Sequence, residues 1–180
     1  MASHNSQKGC NHFYLVMKYF RLLVAVSLIS FNLSAQHPAA TVPDFTFFRF
    51  DKTTFTPKNL EQNKMLFFVF FDATCDHCQH AVQTISSHYS DLKNTMLYVI
   101  SLDNQETMKS FMNKYGSNLI NKKNVILLQD LNNQFISKFG PRKYPSMFLY
   151  SADKKLIIYN DNEENLFRFF DQINSAAKTQ

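Results

Sequence analysis

Seven apolar residues stand in a row at Met65-Leu66-Phe67-Phe68-Val69-Phe70-Phe71. A run of that length without a polar break predicts a strand buried on both faces, in the middle of a sheet. The period changes directly after it. Cys78, Ala81, Val82 and Ile85 fall at helical spacing, so a helix follows the strand. Met96 to Leu102 predicts the next buried strand. Asp103 and Glu106 read as a capping pair for a helix whose stripe is Met108, Phe111, Met112 and Tyr115, and Gly116 ends it. Val125 to Leu128 predicts a strand. Asp130 then caps a short helix through Phe135, Ile136 and Phe139, closed by Gly140-Pro141. Ser146 to Tyr150 and Leu156 to Tyr159, joined by a polar turn at Ala152 to Lys154, predict an antiparallel hairpin. Leu166, Phe169, Phe170 and Ile173 mark a last amphipathic helix.

Before the apolar run, Phe45 to Phe50 predicts an aromatic strand, and Asp51 to Lys64 reads as polar and turn-like. The whole series is β, β, α, β, α, β, short α, β, β, α. Strands alternating with helices predict an α/β fold: a central mixed sheet, parallel at its centre, with helices on both faces. The closing hairpin adds antiparallel strands at one edge, before the C-terminal helix.

The N-terminus has a different pattern. Lys18 and Arg21 precede the apolar stretch Leu22 to Leu33, and Ser34-Ala35-Gln36 follows. This order predicts a secretory signal over residues 1–35, with Met17 as a possible true start and cleavage after Ala35. The apolar stretch is shorter than the ~20 residues that span a bilayer, which disfavours an uncleaved anchor. Residues 36–43 read as a linker and residues 44–180 as one domain. The predicted location is the periplasm. Lys8, Lys18 and Arg21 lie in the predicted signal, so the formal charge of +5 for the 180-residue chain falls to +2 without them. That balance, with no basic stripe on any predicted helix, excludes a nucleic-acid footprint. Glycine occurs 3 times in all, which excludes a Gly-rich phosphate loop.

Candidate chemistry concentrates in Phe70-Phe71-Asp72-Ala73-Thr74-Cys75-Asp76-His77-Cys78-Gln79-His80. Cys75 sits where a buried strand hands over to a helix. The helix N-terminus offers free N–H groups and partial positive charge, which favour a thiolate there. Cys78 is one turn deeper on the same face, within reach of the Cys75 sulfur. Such a pair suits thiol–disulfide exchange through a mixed disulfide. His77 and Asp76 are expected to tune Cys75 in opposite directions, the cation favouring the thiolate and the carboxylate opposing it. Cys75, His77, Cys78 and His80 could instead be metal ligands. On one helix they point around the axis and do not converge, so no metal is expected. Copper(I) on soft thiolates is the alternative chemistry, and a non-catalytic binding module the alternative role.

A strand, a C-x-x-C at a helix start, and Tyr144-Pro145 just before a later strand together resemble the thioredoxin superfamily. The predicted signal, "FFDATCDHC" and "YVISLDN" are most similar to its TlpA/ResA-like exported redoxins, over roughly Asp44 to Ala177. The resemblance implies a thioredoxin-like fold and a thiol–disulfide oxidoreductase of the protein-disulfide reductase type. Cys75 is implied as nucleophile and Cys78 as resolving thiol, with a redox-active Cys75–Cys78 disulfide and no other cofactor. Pro145 is implied to be cis, and Tyr144 to offer its backbone to a substrate strand. The implied partners are exported protein thiols and disulfides and a membrane protein that donates electrons; nucleic acid and small-molecule cofactors are not implied. Two positions depart from the pattern. Thr74 stands where many members have Trp, and Val69 where thioredoxins carry a buried acid, so the proton acceptor for Cys78 is missing. A peroxidase of the peroxiredoxin type needs Thr or Ser three residues before its cysteine, and Asp72 stands there.

Overall fold

The computed structural model describes Met17 and residues 37–177, so the predicted signal, Met17 apart, lies outside the described residues. Seven strands form one sheet: β1 (Phe47–Phe48), β2 (Thr54–Phe55), β3 (Met65–Phe70), β4 (Thr95–Ser101), β5 (Val125–Gln129), β6 (Ser146–Tyr150) and β7 (Leu156–Asn160). Their order across the sheet is β2-β1-β5-β4-β3-β6-β7. The central β5, β4 and β3 are parallel, and every other pairing is antiparallel. The helices are α1 (Asp76–Ser87), α2 (Gln105–Tyr115), α3 (Gln134–Phe139) and α4 (Phe167–Ala177). No described helix is long and apolar enough to cross a membrane.

The apolar run of β3 is explained by alternation. Phe67, Val69 and Phe71 join one core, where α1, α2 and α4 cover the sheet. Leu66, Phe68 and Phe70 join a second core on the other face, beneath α3. A strand flanked by β4 and β6 with both faces covered has no polar position to fill. Each such side chain taken fully out of water contributes about 1.5–3 kcal/mol, before the cost of ordering it.

Four expectations change in detail. The aromatic strand is short, because the Thr46 amide turns away to Gln134 Oε1 (2.9 Å). The stretch 51–64 is not all turn: Thr54–Phe55 pairs back on β1 as a hairpin, and Phe55 is fully buried. The cap of α2 is Asn104, whose side chain accepts from the Thr107 amide, and not the Asp103–Glu106 pair. Asp103 instead accepts from the Ala73 amide in the passage before Cys75. Residues 38–42, read as linker, lie against the domain. The Ala39 amide donates to the Phe139 carbonyl (2.9 Å), the Val42 amide to Lys154 (3.0 Å), and Thr41 bridges Lys155.

Candidate active site

β3 ends at Phe70, and the chain reaches α1 through Phe71 to Cys75. Each backbone N–H of that passage has a partner. Phe71 donates to the Ile100 carbonyl (3.0 Å), and Cys75 to the Asp72 carbonyl (3.2 Å). Ala73 donates to Asp103 Oδ2 (2.9 Å), and Thr74 to Asp72 Oδ1 (2.8 Å). The Asp72 amide reaches the Cys78 sulfur. Thr74 Oγ1 also donates to Asp72 Oδ1 (2.6 Å), so Asp72 closes a tight side-chain turn over the passage. Asp103 is steadied by Ser101, whose hydroxyl donates to Asp103 Oδ2 (2.8 Å). A half-buried passage with every amide satisfied holds one conformation, because each lost partner costs about 1–3 kcal/mol.

Cys75 is the residue that caps α1, with extended backbone (φ −84°, ψ 117°). Its carbonyl accepts from the Cys78 and Gln79 amides. Its side chain makes no capping bond, so the sulfur is left for chemistry. Both cysteines are free thiols, Cys75 half-exposed and Cys78 fully buried. They are in hydrogen-bond contact, with the Cys78 thiol donating to the Cys75 sulfur. Burial pushes the Cys78 thiol far up; the Asp72 amide works against that, while Cys75 and the Asp72 charge add to it. One turn of helix therefore sets an accessible sulfur above a sulfur that stays protonated.

The Tyr144–Pro145 peptide is cis, and Pro145 is buried. The Tyr144 ring lies 4.8 Å from that of Phe70 and touches both cores. Burial, then the charges of Asp72 and Asp103, push its phenol up to about 12, so it stays neutral. Cys78 and Asp130 act on the same phenol. Tyr144 is thus gathered with the dithiol and three carboxylates, each from the chain just beyond a parallel strand.

The two residues between the cysteines diverge. Asp76 is exposed in the first turn of α1. His77 Nδ1 is hydrogen-bonded to Glu163 Oε1, in the turn that precedes α4. Burial raises the Glu163 carboxyl, but the His77 bond, its own backbone amide and the charges of His77 and His80 together outweigh it and hold the group below its ordinary value. His80 is exposed; His88, at the far end of α1, stacks on Phe170 at 5.0 Å. Among the described residues no three His, Cys, Asp or Glu side chains are grouped to hold a metal ion.

Several members of this site carry no local sequence signal. Glu163 is 86 residues from His77. Asp103 looks like a helix cap and serves instead as an anchor for the loop before Cys75. Asp130 does serve the short helix, accepting from the Phe135 amide (2.7 Å), but it is also buried beside Tyr144, with Oδ1 unpartnered.

The sequence profile of the AhpC/TSA family matches residues 38–159. No curated protein matches the chain. Among solved structures, a thioredoxin-like protein from Porphyromonas gingivalis is similar at 18% identity and a TM-score of 0.62, over 79% of this chain and 95% of that one. The thioredoxin domain of a Bacteroides vulgatus thiol-disulfide oxidoreductase gives 16% and 0.60, over 76% and 96%. A secreted disulfide oxidoreductase of Mycobacterium tuberculosis gives 19% and 0.57, over 73% and 95%. At such identities these likenesses establish the fold.

Proposed function

The chain belongs to the AhpC/TSA family and is a redoxin of the thioredoxin superfamily, an oxidoreductase in general class, and from that premise we propose that it exchanges disulfides with exported proteins, as a reductant, through Cys75 and Cys78. The observation that carries this reading is the stacking of two unlike thiols at the start of α1: a half-exposed Cys75 whose sulfur takes no part in capping the helix, over a buried, protonated Cys78 that donates to it. In this reading the Cys75 thiolate attacks a partner disulfide and forms a mixed disulfide. Cys78 then attacks Cys75 and releases the reduced partner. The loop at Tyr144-Pro145 receives the partner's extended chain. A membrane protein returns electrons to the Cys75–Cys78 disulfide, and residues 1–35 direct export to the periplasm.

The pairing of His77 supports the reductant direction. A free imidazolium beside Cys75 would stabilise the reduced form and make the couple oxidising. Here the Glu163 carboxylate compensates it, and Asp72 adds further negative charge. The expected potential lies nearer the thioredoxin value of about −270 mV than the strongly oxidising value of about −120 mV.

The test is a Cys78→Ser variant expressed with its signal. It should accumulate mixed disulfides through Cys75 with exported proteins, and Cys75→Ser should accumulate none. Absence of any Cys75-linked adduct in Cys78→Ser would overturn the proposal.

A further inference from the structure

A buried thiol has to lose its proton before it can resolve a mixed disulfide, and the position beneath this one is apolar: Val69 packs in the same core as Cys78. We infer that the Asp72 carboxylate is the base that takes the Cys78 proton as Cys78 attacks the mixed disulfide on Cys75. This rests on the exchange reading above and adds a residue to it.

The geometry singles out Asp72. Its main chain bridges the dithiol, the carbonyl holding the Cys75 amide and the amide holding the Cys78 sulfur. Its Oδ1 is occupied by Thr74. Its Oδ2 accepts from no group among the described residues, and the side chain is only half-buried. Asp103 and Asp130 each also keep one oxygen outside the hydrogen bonds they accept, but among the described residues no hydrogen bond links the main chain of either to a cysteine. Asp103 Oδ2 holds Ala73 and Ser101. Asp130 Oδ2 holds the Phe135 amide. The charges of Asp103 and Asp130 act on Tyr144, whereas that of Asp72 acts on both Tyr144 and Cys78. His77 is turned to Glu163.

The Cys78 S–H proton passes to Asp72. The freed electron pair forms the Cys78–Cys75 bond, and the bond between Cys75 and the partner sulfur breaks. The partner leaves as a thiolate and is protonated by solvent or by Asp72. The dithiol is oxidised by two electrons and the partner disulfide is reduced by two.

A base and a mere neighbouring charge predict opposite signs. The negative charge of Asp72 opposes ionisation of Cys78. If charge were its whole effect, Asp72→Asn would ease that ionisation and speed resolution. If it accepts the proton, the same variant slows resolution, by about 100-fold on the usual scale for a positioned base. Asparagine keeps an Oδ1 for Thr74, so the loop closes as before. The probe is dithio-bis-nitrobenzoate, added in deficit to reduced full-length protein in a Cys10→Ser background. It releases one coloured thiolate when Cys75 attacks and a second when Cys78 resolves. Asp72→Asn should slow the second phase relative to the first, and Asp153→Asn, in the exposed turn between β6 and β7, should leave that ratio as in the parent. A ratio unchanged or raised in Asp72→Asn overturns the inference. A parent protein with no second phase overturns the exchange reading itself, which keeps the two failures distinct.

Discussion

The two faces of the sheet are built from different materials. The face under α3 is aromatic: Phe45, Phe47, Phe55, Phe68, Phe70, Tyr98, Phe135, Phe139, Phe148 and Tyr150 are all buried there. The face under α1, α2 and α4 mixes aliphatic, methionine and aromatic side chains, and it holds Cys78. The cover explains the contrast. α3 is 6 residues long, whereas α1, α2 and α4 have 11 or 12. A thin cover must fill its volume with large rings, and Phe135 and Phe139 stack at 4.2 Å to do so. The aromatic face contributes mass, and the helical face contributes a helix terminus and its chemistry.

The sharpest way to break this contrast is Phe139→Ala. The ring lies within 6.5 Å of those of Phe45, Phe47, Phe68, Phe135, Phe148 and Tyr150. Its loss should cost about 3–5 kcal/mol in urea unfolding. Exchange per folded molecule should persist, because Phe139 touches neither cysteine's core. If activity falls further than the folded fraction, the two faces are coupled and the division fails.

What could be read from the sequence follows the same division. The uninterrupted run Met65 to Phe71 announced a two-faced central strand, and the period change at Cys75 announced the helix. These signals are local, and each survives in the structure to within a residue. The short strand at Thr54–Phe55 was not legible, since one apolar residue among polar ones has no period. The dithiol was legible because helix geometry places residues three apart on one face. Its surroundings were not. Asp103 folds back to Ala73 across 30 residues, and Glu163 meets His77 across 86. Those contacts exist only because parallel strands bring their C-terminal ends together, and an isolated sequence carries no pattern for that.

A second prediction tests the helical face at its working edge. Cys75 is half-exposed, while Cys78 is fully buried and its thiol is pushed up by burial. Iodoacetamide at mildly alkaline pH should label Cys75 at least about 100-fold faster than Cys78, because each pKa unit above the pH removes tenfold of the reactive thiolate. Peptide mapping by mass spectrometry reads the two sites separately. In urea the ratio should collapse towards one. Equal labelling of the native protein would mean that this face opens at Cys78, and the ordered roles of the two sulfurs would fail.

The smallest effect should come from the rim of the same face, where Glu163 ties the turn before α4 to the first turn of α1. His77 is 71% exposed, so the pair belongs to the weak, solvent-screened class worth about 0.2–1 kcal/mol. Its sign with pH is fixed. Burial raises the Glu163 carboxyl, but the His77 bond, with its own backbone amide and the charges of His77 and His80, holds it below its ordinary value of 4.5. A depressed carboxyl stabilises the fold above its unfolded value, and that contribution is lost as pH falls through the folded value. Glu163→Gln should therefore unfold slightly earlier in urea than the parent at about pH 6, and the gap should close towards about pH 3. Phe139→Ala should show a gap that stays wide across the same range, since lost volume does not titrate. If the Glu163→Gln gap also stays constant, the rim contact is packing and not charge. His77 would then lack the counter-charge that supports a reductant, and the measured potential of the couple should lie towards the oxidising end.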